Sequence, residues 1–177
     1  MKNLKNLLLV CCIIYLVSCT SDVTNNSKKL FNSASFIRSQ TVQLKKSNSK
    51  LYKTAEYNGK KEILQLDSVN WNKELELIVA CNIAEKYLNY NIDSIQQGDS
   101  SIITYTAKES KAEVRKFIVV NYKNNIKRIS IERMKENTFY YSKQQIEYVP
   151  LSYFSIYAKE KIILSDTSYY LITGVIN

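Results

Sequence analysis

The chain has 177 residues, with 25 Lys and Arg, 16 Asp and Glu, four Cys, three Gly, one Pro and no His. This length suits one domain, and the apolar share of 45% is typical of a globular protein. Without histidine the chain has no Ser-His-Asp or Cys-His catalysis and no histidine-ligated metal. Three glycines exclude a glycine-rich loop that binds phosphate.

The N-terminal residues have the pattern of a bacterial lipoprotein signal. Lys2 and Lys5 precede an apolar run at 7–17, which is shorter than the about 20 residues that a membrane-spanning helix needs. Leu16-Val17-Ser18-Cys19 follows and resembles the lipobox, in which a small residue precedes the cysteine that becomes lipidated. We therefore predict cleavage between Ser18 and Cys19 and attachment of acyl chains such as palmitate to Cys19. An uncleaved anchor or an ordinary secretory signal is the alternative.

This processing changes the composition of the mature chain. Lys2 and Lys5 leave with the signal at 1–18, so the formal net charge falls from +9 to +7. Cys19 is consumed by the lipid, and Cys81 then has no second cysteine with which to form an intramolecular disulfide. Residues 19–29, which comprise the lipidated cysteine and the polar segment after it, are predicted to form a flexible tether.

The remaining residues, 30–177, are predicted to form a single α+β domain, mainly helical at 30–88. Apolar residues recur there at the spacing of one helix face, and Ser47-Asn48-Ser49 marks the end of that helix. The residues of this stripe are Leu30, Ala34, Ile37, Leu44 and Leu51. One amphipathic helix packed on a sheet is the preferred interpretation, with a coiled coil as the alternative.

Asn58-Gly59 indicates a type I′ hairpin between apolar residues. A second helix is predicted after it, capped by Asp67, Ser68 or Asn70. Its apolar stripe comprises Trp71, Leu75, Ile78 and Val79, and its polar side Lys73, Glu74 and Glu76. Cys81 near its end is interpreted as a small buried hydrophobic residue, because no histidine or second thiol could activate it.

From residue 89 onward the sequence predicts an antiparallel sheet. Short turn-like links separate the strands, and no helical segment of the length needed for parallel crossovers intervenes. The predicted strands are 90–95, 102–107, 114–122, 126–134, 139–149, 153–164 and 169–176. The fold class is therefore N-terminal amphipathic helices packed on a C-terminal antiparallel β-sheet, arranged as a meander or a curved half-barrel.

Alternation within the strands predicts which of their faces are buried. Ile129 and Ile131 share one face of their strand, while polar residues occupy the other face. The runs at 117–120 and 162–164 are apolar on both faces, so cover on both sides and a filled core are predicted there.

Tyrosines are concentrated towards the C-terminus, where they suit half-buried strands. An aromatic binding face is the functional alternative to simple strand packing. The candidates for such a face are Tyr140, Tyr148, Tyr153, Tyr157 and Tyr170.

No catalytic residue, metal site or cofactor is predicted, because the catalytic and cofactor motifs are absent and the carboxylates are scattered. A carboxylate-dependent hydrolase is a minor alternative. The basic residues form dipeptides such as Lys127-Arg128, whose side chains point to opposite faces of a strand. This pattern indicates a solvated surface, and no nucleic-acid partner is predicted.

The signal, the lipobox and the polar tether together resemble those of small lipoproteins of Bacteroidota. The body of the chain shares their richness in Asn, Lys, Ile and Tyr. The resemblance implies a lipid anchor in the cell envelope, at the outer membrane and facing the periplasm or the surface, and it brings no activity. We expect a non-catalytic accessory or interaction module that contacts an envelope protein. The alternative is a carrier of a lipid-like or other apolar ligand.

Overall fold

The computed structural model describes residues 30–84 and 89–177. Within these ranges the chain forms three helices and nine strands. The helices are α1 (Ser33–Lys46), α2 (Trp71–Glu74) and α3 (Glu76–Ala80). The strands are β1 (Leu51–Tyr57), β2 (Lys60–Leu66), β3 (Tyr90–Gln97), β4 (Ser100–Ala107), β5 (Val114–Tyr122), β6 (Asn125–Glu136), β7 (Tyr140–Val149), β8 (Tyr153–Ile162) and β9 (Ser168–Ile176).

The strands of the described ranges form one antiparallel sheet in the order β2-β1-β9-β8-β7-β6-β5-β4-β3. Strands β3 to β9 succeed one another across the sheet, and β1 pairs with β9. The sheet is open, with β2 and β3 at its two edges. The predicted α+β class with an antiparallel sheet is confirmed. The prediction that the sheet begins only after residue 88 is wrong, because β1 and β2 extend it beside β9.

The Asn58-Gly59 hairpin is confirmed. Asn58 has a φ of 46° and Gly59 a φ of 83°, and the two residues join strands that pair from Tyr57 and Lys60 onward. Positive φ at both central positions is the signature of a type I′ turn, which glycine adopts without steric cost. The Asn58 side chain also accepts a hydrogen bond from the backbone N–H of Tyr169, so the turn is tied to β9 (2.8 Å).

Helix α1 packs on the sheet through the predicted stripe. Asn32 caps the helix by accepting a hydrogen bond from the Ser35 backbone N–H (2.8 Å), and Ala34, Ile37 and Leu44 are buried. Leu51 was also expected on this stripe but is the first residue of β1 and is buried there. Its spacing mimics a helix only because the turn after Lys46 returns the chain to the same core. No helix of the described residues has the length and hydropathy to cross a membrane.

The predicted second helix forms as two short segments, α2 and α3, which meet at Leu75. Asn70 is its N-cap, accepting a hydrogen bond from the Lys73 backbone N–H (3.3 Å). Trp71, Leu75 and Ile78 are buried as predicted. Glu74 was assigned to the solvated side, but it is partly buried and pairs with Lys53 of β1 at 2.8 Å. This ion pair joins the helical segment to the sheet.

The helices cover one face of the sheet, which we call the covered face, and no helix of the described ranges packs on the other, which we call the open face. Ile129 and Ile131 lie on the covered face, as predicted from their alternation. Its core is filled by large side chains of both layers, including Trp71, Phe117, Tyr148 and Phe154.

The expectation of cover on both sides of the two apolar runs is wrong for the described residues. In the run at 117–120, Phe117 and Val119 are buried, whereas Ile118 and Val120 lie on the open face and are partly exposed. The run at 162–164 lies at the end of β8 and in the turn beyond it, and its side chains are exposed.

Candidate functional site

The open face carries three rows of side chains that run across the strands. Because the antiparallel pairing aligns Cα partners from strand to strand, alternate residues of every strand lie on this face and line up with their neighbours. We call these rows the apolar rung, the hydroxyl rung and the charged rung, and they lie in that order along the strands.

The apolar rung is almost continuous from β3 to β1. Its members are Ile95, Ile102, Val120, Val149, Tyr153, Val175 and Tyr52, in the order of the strands. Arg128 of β6 pairs with Val120 and interrupts the row. The exposed fraction is 64% for Ile95 and 46% for Val175. Single exposed apolar residues are ordinary, but a row of them that only one strand interrupts indicates a binding surface.

The hydroxyl rung forms a shallow trough beside the apolar rung. Most of its members are small, since it contains Thr104, Ser130, Ser155, Thr173 and Thr54, together with Ile118 and Glu147. A cavity of about 240 Å³ lies over this trough between β5 and β8. Ser130 and Ser155 line its floor, and Tyr157 and Gln145 of the next rung also line it.

The charged rung carries both signs of charge. Lys116 and Glu132 are Cα partners in β5 and β6, and Glu56 and Lys61 are partners in β1 and β2. The Arg128 guanidinium lies 3.7 Å from the Glu147 carboxylate and so links the apolar and hydroxyl rungs. Gln145, Tyr157 and Leu171 lie between the two charged pairs of this rung. Paired charges beside neutral side chains suit a protein surface of mixed polarity better than a polyanion.

The five predicted tyrosines do not form one face. Tyr153 and Tyr157 lie on the open face, whereas Tyr140, Tyr148 and Tyr170 lie on the covered face. Tyr148 is part of the core, where burial raises its pKa to about 12. Tyr140 donates a hydrogen bond to a Glu160 carboxylate oxygen (2.7 Å). The hypothesis of a single aromatic binding face made of these five residues is therefore wrong.

The turn between β7 and β8 explains this split. It spans residues 150–152 and makes Val149 the Cα partner of Tyr153 and Tyr148 the partner of Phe154. Since side chains alternate along a strand, Tyr148 and Tyr153 must then lie on opposite faces. One residue more or fewer in this turn would have placed them together.

The apolar rung was not predicted as a site. Its sequence signal is weak, because it is spread over seven strands with one residue in each. In Ile102-Ile103-Thr104 and Leu171-Ile172-Thr173 the first and third residues lie on the open face and the middle one on the covered face, so the open face has threonines where the covered face has isoleucine.

The remaining candidates take no part in this surface. Ser18 and Cys19 lie outside the described residues. Cys81 is buried in the core, as predicted. The described ranges contain no group of three or more acidic or cysteine side chains that could hold a metal ion. Comparison of the chain with protein-family models, curated proteins and solved structures found no match.

Proposed function

We propose that the chain is a lipid-anchored lipoprotein of the bacterial envelope that acts as a non-catalytic interaction module and binds a partner protein through the open face. The single observation that supports this function most is the apolar rung, which only Arg128 interrupts, on a face that no helix of the described residues covers. The lipobox at Leu16-Val17-Ser18-Cys19 supports the anchor and the location in the cell envelope.

The dimensions and chemistry of the open face suit a protein partner. Strands spaced about 4.8 Å apart and three rungs spaced about 7 Å apart give an area of roughly 800 Å², which is one partner's share of a standard interface. An apolar row beside hydroxyl groups, tyrosines and paired charges combines the apolar and polar chemistry of protein interfaces.

Site-specific photo-cross-linking in intact cells tests this surface. We expect a photoreactive amino acid at Val175, on the open face, to capture a defined envelope protein. Val42 on the outer side of α1 provides a matched control, because its exposed fraction of 51% is close to the 46% of Val175. Capture at Val42 but not at Val175 would contradict the proposed surface, and so would no capture at either position.

The anchor requires a separate test. We expect the native chain to incorporate labelled fatty acid and to sediment with the membrane fraction. Cys19→Ala should lose the label, whereas Cys81→Ala should keep it, because Cys81 lies in the core. Labelling that survives Cys19→Ala would show that the lipobox interpretation is wrong.

A second candidate function, binding of a lipid-like or other apolar ligand, is favoured by a cleft beside α3. This cleft has a volume of about 400 Å³ and lies between the helical segment and the sheet. Leu77, Phe154, Ile156 and Ile172 supply its apolar lining, and the Lys53–Glu74 pair lies at it. Curvature of the sheet into a half-barrel around the helices would deepen this cleft.

Mass spectrometry of gently extracted protein tests the carrier function. A stoichiometric co-purifying lipid that is lost in Ala80→Trp, which fills the cleft, would support it. Val42→Trp places the same bulky residue on an exposed position of α1 outside the cleft and serves as the control. Absence of any co-purifying lipid from the native protein would leave the interaction module as the proposed function.

A further inference from the structure

Arg115 is the extra residue of a β-bulge. The register of β5 against β6 pairs Val114 with Arg133 and Lys116 with Glu132, so Arg115 has no partner across the strands. A bulge of this kind turns a side chain away from the direction that regular alternation would give it, and bulges occur preferentially next to binding sites. The bulge therefore gives Arg115 an orientation that the strand pattern alone would not.

The Arg115 guanidinium has no carboxylate partner within the described residues. One terminal nitrogen donates to the Glu109 carbonyl oxygen at 3.3 Å, and the other lies 3.9 Å from the Met134 sulfur. Its Nε is buried and makes no hydrogen bond. A buried donor on a cation is costly unless it is paired, and such a group indicates a position where an ion or ligand completes the site.

A cavity of about 700 Å³ adjoins this guanidinium at the ends of β5, β6 and β7. Lys111 and Lys135 line it together with Arg115, and Glu113 and Glu136 are the acids in its lining. Glu113 is already engaged, since its carboxylate lies 2.9 Å from the Arg133 guanidinium and 3.8 Å from the Lys135 amine. The lining therefore carries three cationic side chains against two acidic ones, and one of these acids also pairs with Arg133 outside the lining.

Asn137 adds a neutral donor to the same cavity. Its side-chain oxygen accepts hydrogen bonds from the backbone N–H groups of Phe139 and Tyr140, both at 2.9 Å. This arrangement fixes the carboxamide, so that its amide nitrogen remains to donate to a ligand.

We infer that this pocket, which we call the Arg115 pocket, binds an anionic phosphate group. A guanidinium offers two parallel N–H donors that match a phosphate, and a neighbouring lysine adds a point charge. The phosphate can belong to a phospholipid head group or be free inorganic phosphate, because the recognition chemistry is the same. This site lies beyond the three rungs, at the ends of β5, β6 and β7, and does not depend on the proposed partner binding.

Isothermal titration calorimetry of the full chain in uncharged detergent micelles, with inorganic phosphate as the probe, tests the inference. We expect saturable binding of one phosphate per chain and a loss of affinity of about tenfold or more in Arg115→Gln. Arg38→Gln is the matched control and should bind like the native chain, because Arg38 is an exposed arginine on α1 outside the pocket. Circular dichroism establishes that both variants are folded.

A second variant keeps the inference testable if Arg115→Gln does not fold. Lys111→Gln changes an exposed side chain in the loop before β5 and should also weaken phosphate binding. Absence of saturable binding by the native chain, or equal losses in Lys111→Gln and Arg38→Gln, would overturn the inference.

Short-chain lipids then distinguish the two sources of the phosphate. Tighter binding of dioctanoyl phosphatidylglycerol than of inorganic phosphate, abolished by Arg115→Gln, would identify a head group. Phosphate binding with no added affinity for this lipid would identify free phosphate. Dioctanoyl phosphatidylcholine controls for the acyl chains, and binding of both lipids that is unaffected by Arg115→Gln would count against the pocket.

Discussion

The ring of Phe154 in β8 occupies the space that a side chain at Gly174 in β9 would need. The two residues are Cα partners, and a Cβ at position 174 would overlap two ring carbons of Phe154 and lie 2.9 Å from Leu51 Cδ1. Phe154 and Leu51 are both fully buried, so neither can move into solvent. Glycine at this position therefore permits an aromatic ring to pack directly on the strand beneath the helices.

This contact predicts that Gly174→Ala destabilises the fold. Alanine reduces the flexibility of the unfolded chain, which favours folding by up to about 1 kcal/mol, but overpacking of a rigid core costs about 1–3 kcal/mol and should dominate. Urea denaturation measures the change in the free energy of unfolding. Thr173→Ala in the same strand, facing the open side, should change it by less than about 0.5 kcal/mol. A stabilising Gly174→Ala would contradict this account of the contact.

The Lys53–Glu74 pair should stabilise the fold more than the Lys50–Asp67 pair, although both have an N–O distance of 2.8 Å. The exposed side-chain fractions are 23% and 15% in the first pair and 52% and 68% in the second, so water and salt screen the second far more. Double-mutant cycles with Lys→Met and acid→amide changes measure the coupling. We expect about 1 kcal/mol for the first pair and no measurable coupling for the second. Equal couplings would show that burial does not decide the difference.

Local patterns predicted most of the elements and the burial of the covered face, but not the exposure of the other face. The Asn58-Gly59 turn and the alternation at Ile129 and Ile131 depend on the nearest residues, and both are confirmed. Leu51 was assigned to the wrong element, because an apolar residue at helical spacing fits the end of a helix stripe and the buried first residue of a strand equally well. The position of β1 beside β9 depends on contacts between distant parts of the chain, which local patterns do not encode.

The candidate site was less predictable than the fold for the same reason. The apolar rung unites residues as far apart in sequence as Tyr52 and Val175, and its members come together only through the register of the strands. The bulge at Arg115 is a register shift of one residue, which regular alternation along a strand does not predict. Spacing in sequence cannot report a surface whose residues are assembled by pairing.

Stability should fall at high pH because of Tyr148. Burial raises the pKa of Tyr148 in the folded state to about 12, from 10.0 for an unperturbed tyrosine. The folded state therefore holds the Tyr148 proton more strongly than the unfolded state does. This contribution to the free energy of unfolding is complete below pH 10 and is lost as the pH rises towards 12. A shift of about two pKa units corresponds to roughly 3 kcal/mol. Denaturation series between pH 8 and 12 measure the loss.

Tyr148→Phe should reduce this dependence on pH without abolishing it, because burial also raises the pKa of Tyr90 to about 12. Tyr153→Phe on the open face is the matched control and should leave the profile of the native protein unchanged. Identical profiles for Tyr148→Phe and the native protein would exclude Tyr148 as a source of the pH dependence.

Substitutions at two adjacent valines of β5 should distinguish an effect on folding from an effect on partner binding. Val119 is buried on the covered face, whereas Val120 belongs to the apolar rung. Valine to threonine replaces a methyl group by a hydroxyl group of similar size, so Val119→Thr places an unpaired hydroxyl in the core and should cost about 1–3 kcal/mol of the free energy of unfolding. Val120→Thr should change stability by less than about 0.5 kcal/mol but reduce capture of the partner through a photoreactive residue at Val175. If Val120→Thr left capture at the native level, the apolar rung would not be the partner's contact surface.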